Sequence, residues 1–345
     1  MTTAAAACGS ARQQERIKGD KMVTLADFWT ARVNIQRFLH QTPVLSTKSL
    51  SKIIGAETSL KCELFQKTGS FKVRGAFNTL INLPPEKKAR GVVCFSSGNH
   101  AQAVAYAGQV TGIPVTAVMI EGSNADKIEA CASYGAKVII AGKNSIEASA
   151  KAYAIMEEQG FAFVHPFDAL ATIVGQGTLG LEILEALPDV DAIYVPIGGG
   201  GLISGIAAAV KMIQPAVRII GVQPEDSASM LASLRQGAVT QIEACRTMAD
   251  GLRAQAPGEN TFKFVQRYVD DVITVSEEQI GAAMLLVMTR AKLFAEPSAA
   301  VTVAGLISGK AYIGKKNVAV LSGGNVNLDQ LAKVISARTQ AGSGA

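Results

Sequence analysis

The chain has 345 residues, 48% of them hydrophobic, which is enough core for one large α/β unit or two closely joined domains and too apolar for a disordered chain. Its formal net charge of +5 is spread along the sequence rather than clustered, so no nucleic-acid partner is expected. No apolar run is long enough to span a bilayer, so no membrane partner is expected either.

Residues 1–21 carry a short alanine run, then Arg12, Gln13, Gln14, Glu15, Arg16 and Lys18, with no apolar segment of secretory type. They read as a mobile leader, with an alternative start at Met22. Beyond them, β-rich runs are predicted at 92–95, 115–119, 137–141, 162–164, 192–197, 218–222, 271–275 and 317–321. Helical stretches are predicted near 100–111, 126–134, 145–159, 174–187, 202–214, 277–293 and 328–336. This alternation implies an α/β fold of mainly parallel sheet covered by helices. Pro84-Pro85 and Pro166 mark crossings between a small domain, 84–168, and a larger one combining 22–83 with 169–345. The cleft between them is the expected ligand site.

Four motifs carry chemistry. Lys72 stands in Ser70-Phe71-Lys72-Val73-Arg74-Gly75-Ala76, between a bulky aromatic and a β-branched residue. Packing there would lower its pKa, so that the free amine can attack an aldehyde and later carry a proton. Ser96-Ser97-Gly98-Asn99-His100 follows the run Val92-Val93-Cys94-Phe95 as a strand, a turn and a helix start, with Asn99 near the N-cap. Backbone N–H groups and small hydroxyls there would grip an anion such as a carboxylate. Gly198-Gly199-Gly200-Gly201-Leu202 follows Ala192 to Ile197 and precedes a helix. Four glycines let the backbone wrap a phosphate, yet the spacing fits neither the dinucleotide fingerprint nor the P-loop. Leu321-Ser322-Gly323-Gly324-Asn325 places one hydroxyl at a strand end, where open α/β sheets bind ligands.

No metal site is expected. His40 and His165 are scattered, and no His/Cys cluster has ligand spacing. Glu225 and Asp226 read as a solvated loop. Cys8, Cys62, Cys94, Cys131 and Cys245 are odd in number, with no CxxC pair, and read as reduced thiols of a cytoplasmic protein.

Together with Glu296-Pro297-Ser298, these motifs make the chain resemble the fold-type II pyridoxal-phosphate enzymes, whose architecture is the tryptophan synthase β-like pair of open sheets. The branch it resembles is that of the serine/threonine dehydratases and serine racemases, and the likeness runs from about Phe28 to Ile335. It implies pyridoxal 5′-phosphate as cofactor, with Lys72 holding its aldehyde, Phe71 against the ring and Gly251 bordering the other side. Asn99 would bond the ring hydroxyl, Ser322 would face the ring nitrogen, and Glu296 would complete the cofactor site. Gly198, Gly199, Gly200, Gly201 and Leu202 would bind the phosphate through backbone N–H groups. Ser96, Ser97, Asn99 and His100 would surround the carboxylate of a small amino-acid substrate.

A hydroxyl such as Ser322 is a weak proton source, which favours expulsion of a β-leaving group over transamination. The implied activity is an L-threonine/L-serine dehydratase, with Lys72 and Ser97 as its catalytic residues. The alternatives are a serine racemase, or a dehydratase of hydroxyaspartate or an aryl-serine. Racemisation needs a second acid/base, which Ser97 offers. Serine racemases also carry an arginine where Asn144-Ser145-Ile146-Glu147 has none. Some members bind a divalent cation through a glutamate matching Gln223 and an acidic residue a turn later, where this chain has Ser229. The resemblance further implies a homodimer or homotetramer.

Overall fold

The computed structural model describes residues 23–342. The expected leader at 1–21, with Cys8, and the alternative start at Met22 lie outside the described residues. Among the described residues ten strands form two sheets. β1 (Val44–Ser46), β2 (Glu57–Cys62), β7 (Ala192–Pro196), β8 (Arg218–Pro224), β9 (Asp271–Val275) and β10 (Lys316–Leu321) form a six-stranded sheet in the order β1-β2-β10-β7-β8-β9. β3 (Val92–Phe95), β4 (Val115–Met119), β5 (Lys137–Ile140) and β6 (Ala162–Phe163) form a four-stranded sheet in the order β5-β4-β3-β6. Only β1 pairs antiparallel, with β2; every other neighbouring pair is parallel. Parallel strands must be covered on both faces, and the unbroken burial of β4 and β7 shows it. No helix among the described residues is long and apolar enough to cross a membrane.

The helix Leu170–Ala186 fixes the relation between the main motifs. A Cβ at Gly175 would lie 2.7 Å from the Arg74 carbonyl oxygen and from Gly75 Cα, and one at Gly177 would lie 2.8 Å from the Gly205 carbonyl oxygen. Only glycine allows these backbones to touch. The helix that begins at Lys72 (Lys72–Ile81) and the helix that follows the glycine run (Gly201–Ile213) therefore both rest on one rod.

Four charged side chains lock the first of these contacts. Arg74 is fully buried, its Nε and Nη2 each 2.8 Å from the Glu63 carboxylate and its Nη1 2.7 Å from Glu182. Lys61 Nζ donates to Glu182 at 2.6 Å and to the Thr42 carbonyl at 2.7 Å. Two cations and two carboxylates balance, so the set carries no net charge out of water. The arrangement holds because each charge is hydrogen-bonded as well as paired.

The predicted helix at 277–293 is shorter as built. Its α-helical part is Glu277–Leu286, followed by a π-helical turn, Val287–Ala291, that ends where Lys292 adopts a left-handed φ of 60°. Among the described residues nine strands and α-helices have no counterpart in the predicted set: β1, β2 and the helices Leu25–Ile35, Lys48–Ile54, Lys72–Ile81, Pro85–Arg90, Ser229–Gln236, Glu259–Tyr268 and Pro297–Ser308.

Candidate active site

The carboxyl ends of β3, β6, β7 and β10 lead into four loops that face one another, as open parallel sheets provide. Lys72 opens its helix among them. Its Nζ donates to the Pro166 carbonyl at 2.8 Å and lies 5.2 Å from the centre of the Phe71 ring. Burial lowers the Lys72 pKa to about 8, against the opposing pull of the Glu296 carboxylate. The amine is thus partly free near neutral pH. The Phe71 N–H donates to the Ser322 carbonyl at 3.0 Å, and Ser70 bridges Gly323, so the lysine loop and the end of β10 are one unit. The hydroxyls of Thr68 and Ser70 are buried without a hydrogen-bond partner among the described residues.

The loop after β3 holds Ser96, Ser97 and Gly98. Gly98 is the N-cap, and Asn99 is the first residue of the helix Asn99–Thr111, one position inside its expected place. Ser97 Oγ accepts the Ile120 N–H at 3.2 Å and lies 2.7 Å from Ser123 Oγ, whose single proton goes to the Ile120 carbonyl at 2.7 Å, so that Ser97 is the donor between the two hydroxyls; Ser96 Oγ accepts the Gly98 N–H at 3.1 Å. Asn99 Nδ2 donates to both Glu296 oxygens at 2.9 and 3.1 Å, and its Oδ1 accepts from Asn325 Nδ2 at 2.8 Å. This chain of bonds joins the four-stranded sheet's loop to the six-stranded sheet's side. The His100 ring turns away from the loop: it is buried, with Nε2 at 2.9 Å from the Val164 carbonyl oxygen. Burial, with the nearby Lys72, pushes its pKa down to about 3, so the ring is neutral.

The glycine run closes on itself. A Cβ on Gly199 would strike the Phe167 ring, and one on Gly201 would lie 2.9 Å from Phe167 Cα. Gly200 has φ +96°, and a Cβ there would meet Thr261 Cβ at 2.9 Å. Gly198 faces the Gly251 carbonyl oxygen at 3.1 Å from its own Cβ position. Side chains are excluded at Gly199, Gly200 and Gly201 and crowded at Gly198, which leaves backbone N–H groups and a helix N-terminus to meet an anion. Thr261 Oγ1 donates to the Gly199 carbonyl at 2.7 Å, and the Gly251 N–H donates to Ser298 Oγ at 3.0 Å, which steadies both sides of the cup. Leu202, the last residue of the run, and Ser322, at the end of β10, are both buried.

Glu296 is 4% exposed, and burial, assisted by Asp250, raises its pKa to about 7 from 4.5. Between those values the folded chain holds a proton that the unfolded chain has released, so stability falls as pH rises through this window. Glu296→Gln removes that slope. In the cofactor-free protein, urea unfolding at pH 5 and pH 8 is expected to show the variant gaining on the native chain by about 3 kcal/mol over the interval. An equal difference at both pH values would refute the assignment.

The sequence marks Pro166 as a crossing between domains and His165 as a scattered histidine, and gives the loop His165-Pro166-Phe167-Asp168 no part in the site. The His165 ring Nδ1 accepts the N–H groups of Phe167 at 3.2 Å and Asp168 at 2.8 Å, and burial lowers its pKa to about 4. Asp168 Oδ1 in turn accepts the Asn260 and Thr261 N–H groups at 2.9 and 3.0 Å. The loop therefore receives Lys72, walls the glycine cup through Phe167 and fixes the helix that holds the cup. The available signal was its position at the carboxyl end of a parallel strand. Among the described residues no group of three or more His, Cys, Asp or Glu side chains is arranged to hold a metal ion. Gln223 is instead spent on protein partners, its Nε2 donating to the Ser227 carbonyl at 3.1 Å and its Oε1 accepting the Leu231 N–H at 3.0 Å.

A family model described as pyridoxal-phosphate dependent enzyme matches residues 35–324. An L-threonine ammonia-lyase of Thermotoga maritima is 45% identical over 315 residues, covering 91% of this chain and 79% of that protein. An L-threo-3-hydroxyaspartate ammonia-lyase of Saccharomyces cerevisiae is 39% identical over 316 residues, covering 91% of this chain and 97% of that one. The solved structure of maize serine racemase superposes with a TM-score of 0.87 at 36% identity, over 93% of this chain and 99% of the racemase.

Proposed function

The chain belongs to the family of pyridoxal-phosphate-dependent enzymes, and from that premise we propose that it is an L-threonine/L-serine ammonia-lyase that yields a 2-oxo acid and ammonia. The observation that carries the proposal is Lys72, an amine with its pKa lowered to about 8, opposed by a glycine cup on one side and a serine-asparagine loop on the other. The fit to the cofactor is supported by the glycine run, where Cβ positions at Gly199, Gly200 and Gly201 fall against Phe167, Met230 and Thr261, and by the orphaned buried hydroxyls of Thr68 and Ser70 on the lysine loop.

Pyridoxal phosphate, when bound, supplies an electron sink for the pair left at the substrate α-carbon. The rest is assigned to this chain's residues. Lys72 Nζ would hold the aldehyde and, as a free amine, would take the substrate α-proton. Phe71 and Gly251 would flank the ring, Asn99 and Glu296 would hold its hydroxyl, and Ser322 would face its nitrogen. The N–H groups of Gly198 to Leu202 would bind the phosphate. Ser96 and Ser97 would hold the substrate carboxylate with their hydroxyls, aided by the N–H groups of Asn99 and His100 at the helix start. The α-proton taken by Lys72 balances the proton that the β-hydroxyl gains as it leaves as water; the enamine product becomes an imine, and its hydrolysis releases the 2-oxo acid and ammonia.

The test is direct. Protein mixed with pyridoxal phosphate and L-threonine or L-serine should release 2-oxo acid and ammonia in equal amounts; no 2-oxo acid from either substrate overturns the proposal. A second activity, serine racemisation, is favoured by Ser97, a hydroxyl in the loop after β3 that is held in place by the Ile120 N–H and by Ser123 Oγ. Ser97→Ala is expected to remove any racemisation while leaving most of the ammonia release. Equal loss of both would make Ser97 a substrate anchor only.

We further propose a cytoplasmic homodimer or homotetramer. The free thiols of Cys62, Cys94 and Cys131, all buried, support a reducing compartment. The exposure of Phe65, Phe294 and Tyr312 supports a partner copy.

A further inference from the structure

One ion pair spans the rim of this site and is used by none of the steps above. Lys127 Nζ lies 3.1 Å from Asp250 Oδ2. Lys127 sits on the helix Ala125–Ser133, between β4 and β5, and Asp250 on the turn between β8 and β9, so the pair links the two sheets' units. Both ends touch site loops. Lys127 Nζ is 4.0 Å from a Cβ position on Gly98, and its helix begins just after Ser123, which bonds Ser97. Asp250 precedes Gly251, whose N–H donates to Asp250 Oδ1 at 2.8 Å and whose carbonyl oxygen borders Gly198. Both side chains keep access to water, at 21% and 49% exposure, so neither charge is sealed off from a solute in the cleft.

Of the other titratable groups near this rim, the His100 and His165 rings are neutral at physiological pH, while Glu296 and Lys72 are buried, of opposite sign and coupled to each other, with Asn99 bonded to Glu296 from the loop side. The solvent-accessible charges of the rim pair are Lys127 and Asp250, and the two cancel.

We propose that the Lys127–Asp250 pair is the charge-selectivity element of the site: Asp250 neutralises Lys127, and the balanced rim favours 3-hydroxy amino acids with uncharged side chains over those with a second carboxylate. Loss of the Asp250 charge would free the Lys127 ammonium for a side-chain carboxylate. Loss of the Lys127 charge would leave Asp250 to repel one. This inference rests on the ammonia-lyase proposal, and its test separates the two. Native holoenzyme is assayed first with L-threonine, where absence of 2-oxo acid defeats the ammonia-lyase proposal itself.

Given turnover, kcat/KM is then measured for L-threo-3-hydroxyaspartate and for L-threonine in native, Asp250→Asn and Lys127→Met enzymes at low salt. Asp250→Asn keeps the side-chain oxygen that accepts the Gly251 N–H, so the turn is retained. The hydroxyaspartate-to-threonine ratio should rise about fivefold in Asp250→Asn and fall by a similar factor in Lys127→Met, the range open to a partly exposed charge. Raising the salt should shrink both shifts. A disturbance of folding or of cofactor binding lowers both substrates together and leaves the ratio unmoved. Half-saturation of the cofactor absorbance change by each substrate, a readout that does not need turnover, should give a ratio of affinities that moves in the same directions. A ratio unchanged in both variants, or a native enzyme that already prefers hydroxyaspartate, overturns the proposal.

Discussion

Lys72→Ala is expected to lower turnover by about 10⁴-fold or more, because it removes both the covalent anchor and the base for the α-proton. It should also remove the absorbance of cofactor bound through an amine. In the native protein, borohydride reduction after addition of pyridoxal phosphate should fix the label to Lys72, read by peptide mapping. Capture of the aldehyde should accelerate as pH rises through about 8, where the lowered pKa frees the amine, and should level off above that. Label on any other lysine would sink the assignment.

The second large effect is structural. Arg74→Ala leaves Glu63 without its guanidinium partner and Glu182 with Lys61 alone, all inside the protein. Removing one member of a buried ionic set costs about 3–5 kcal/mol, because the remaining charge stays out of water uncompensated. Urea unfolding should show that loss as a lower midpoint with an unchanged slope. Replacing all four side chains by apolar residues of matching volume should cost far less, since no charge is then left behind. A single variant within about 0.5 kcal/mol of the native protein, the range of ordinary surface changes, would mean that water reaches the site and solvates Glu63.

That cluster also marks where the sequence becomes illegible. The runs that became β3, β4, β7, β8 and β10 are visible because strands covered on both faces must be apolar throughout. The serine, glycine and asparagine loops are visible because they sit at the carboxyl ends of those runs. β2 is hidden because Glu57-Thr58-Ser59-Leu60-Lys61-Cys62 reads as polar. Lys61 is nonetheless 1% exposed, and the partner that makes this tolerable is Glu182, 121 residues away. A single sequence carries no signal for such a pairing. The helix Pro297–Ser308 is hidden for the opposite reason. It is apolar on all sides, so it lacks the one-sided periodicity of a surface helix. His165 was legible as a residue and not as a neighbour of Lys72, because the turn after the two-residue strand β6 decides where its ring goes.

The rod formed by Leu170–Ala186 has a consequence for how this chain can change. Lys72 and the glycine cup are set against it by backbone contact, at Gly175 and Gly177, with no side chain between to tune. Their spacing is in effect a fixed gauge. The parts proposed to meet the substrate, the loop after β3 and Lys127, hang on the other sheet and reach that gauge through side chains such as Asn99 and Asp250. On the proposed assignment, new substrates can be acquired by exchanging residues on the four-stranded sheet's side while the proposed seat of the cofactor stays as it is. The scaffold keeps the reaction constant and leaves the choice of molecule open to drift.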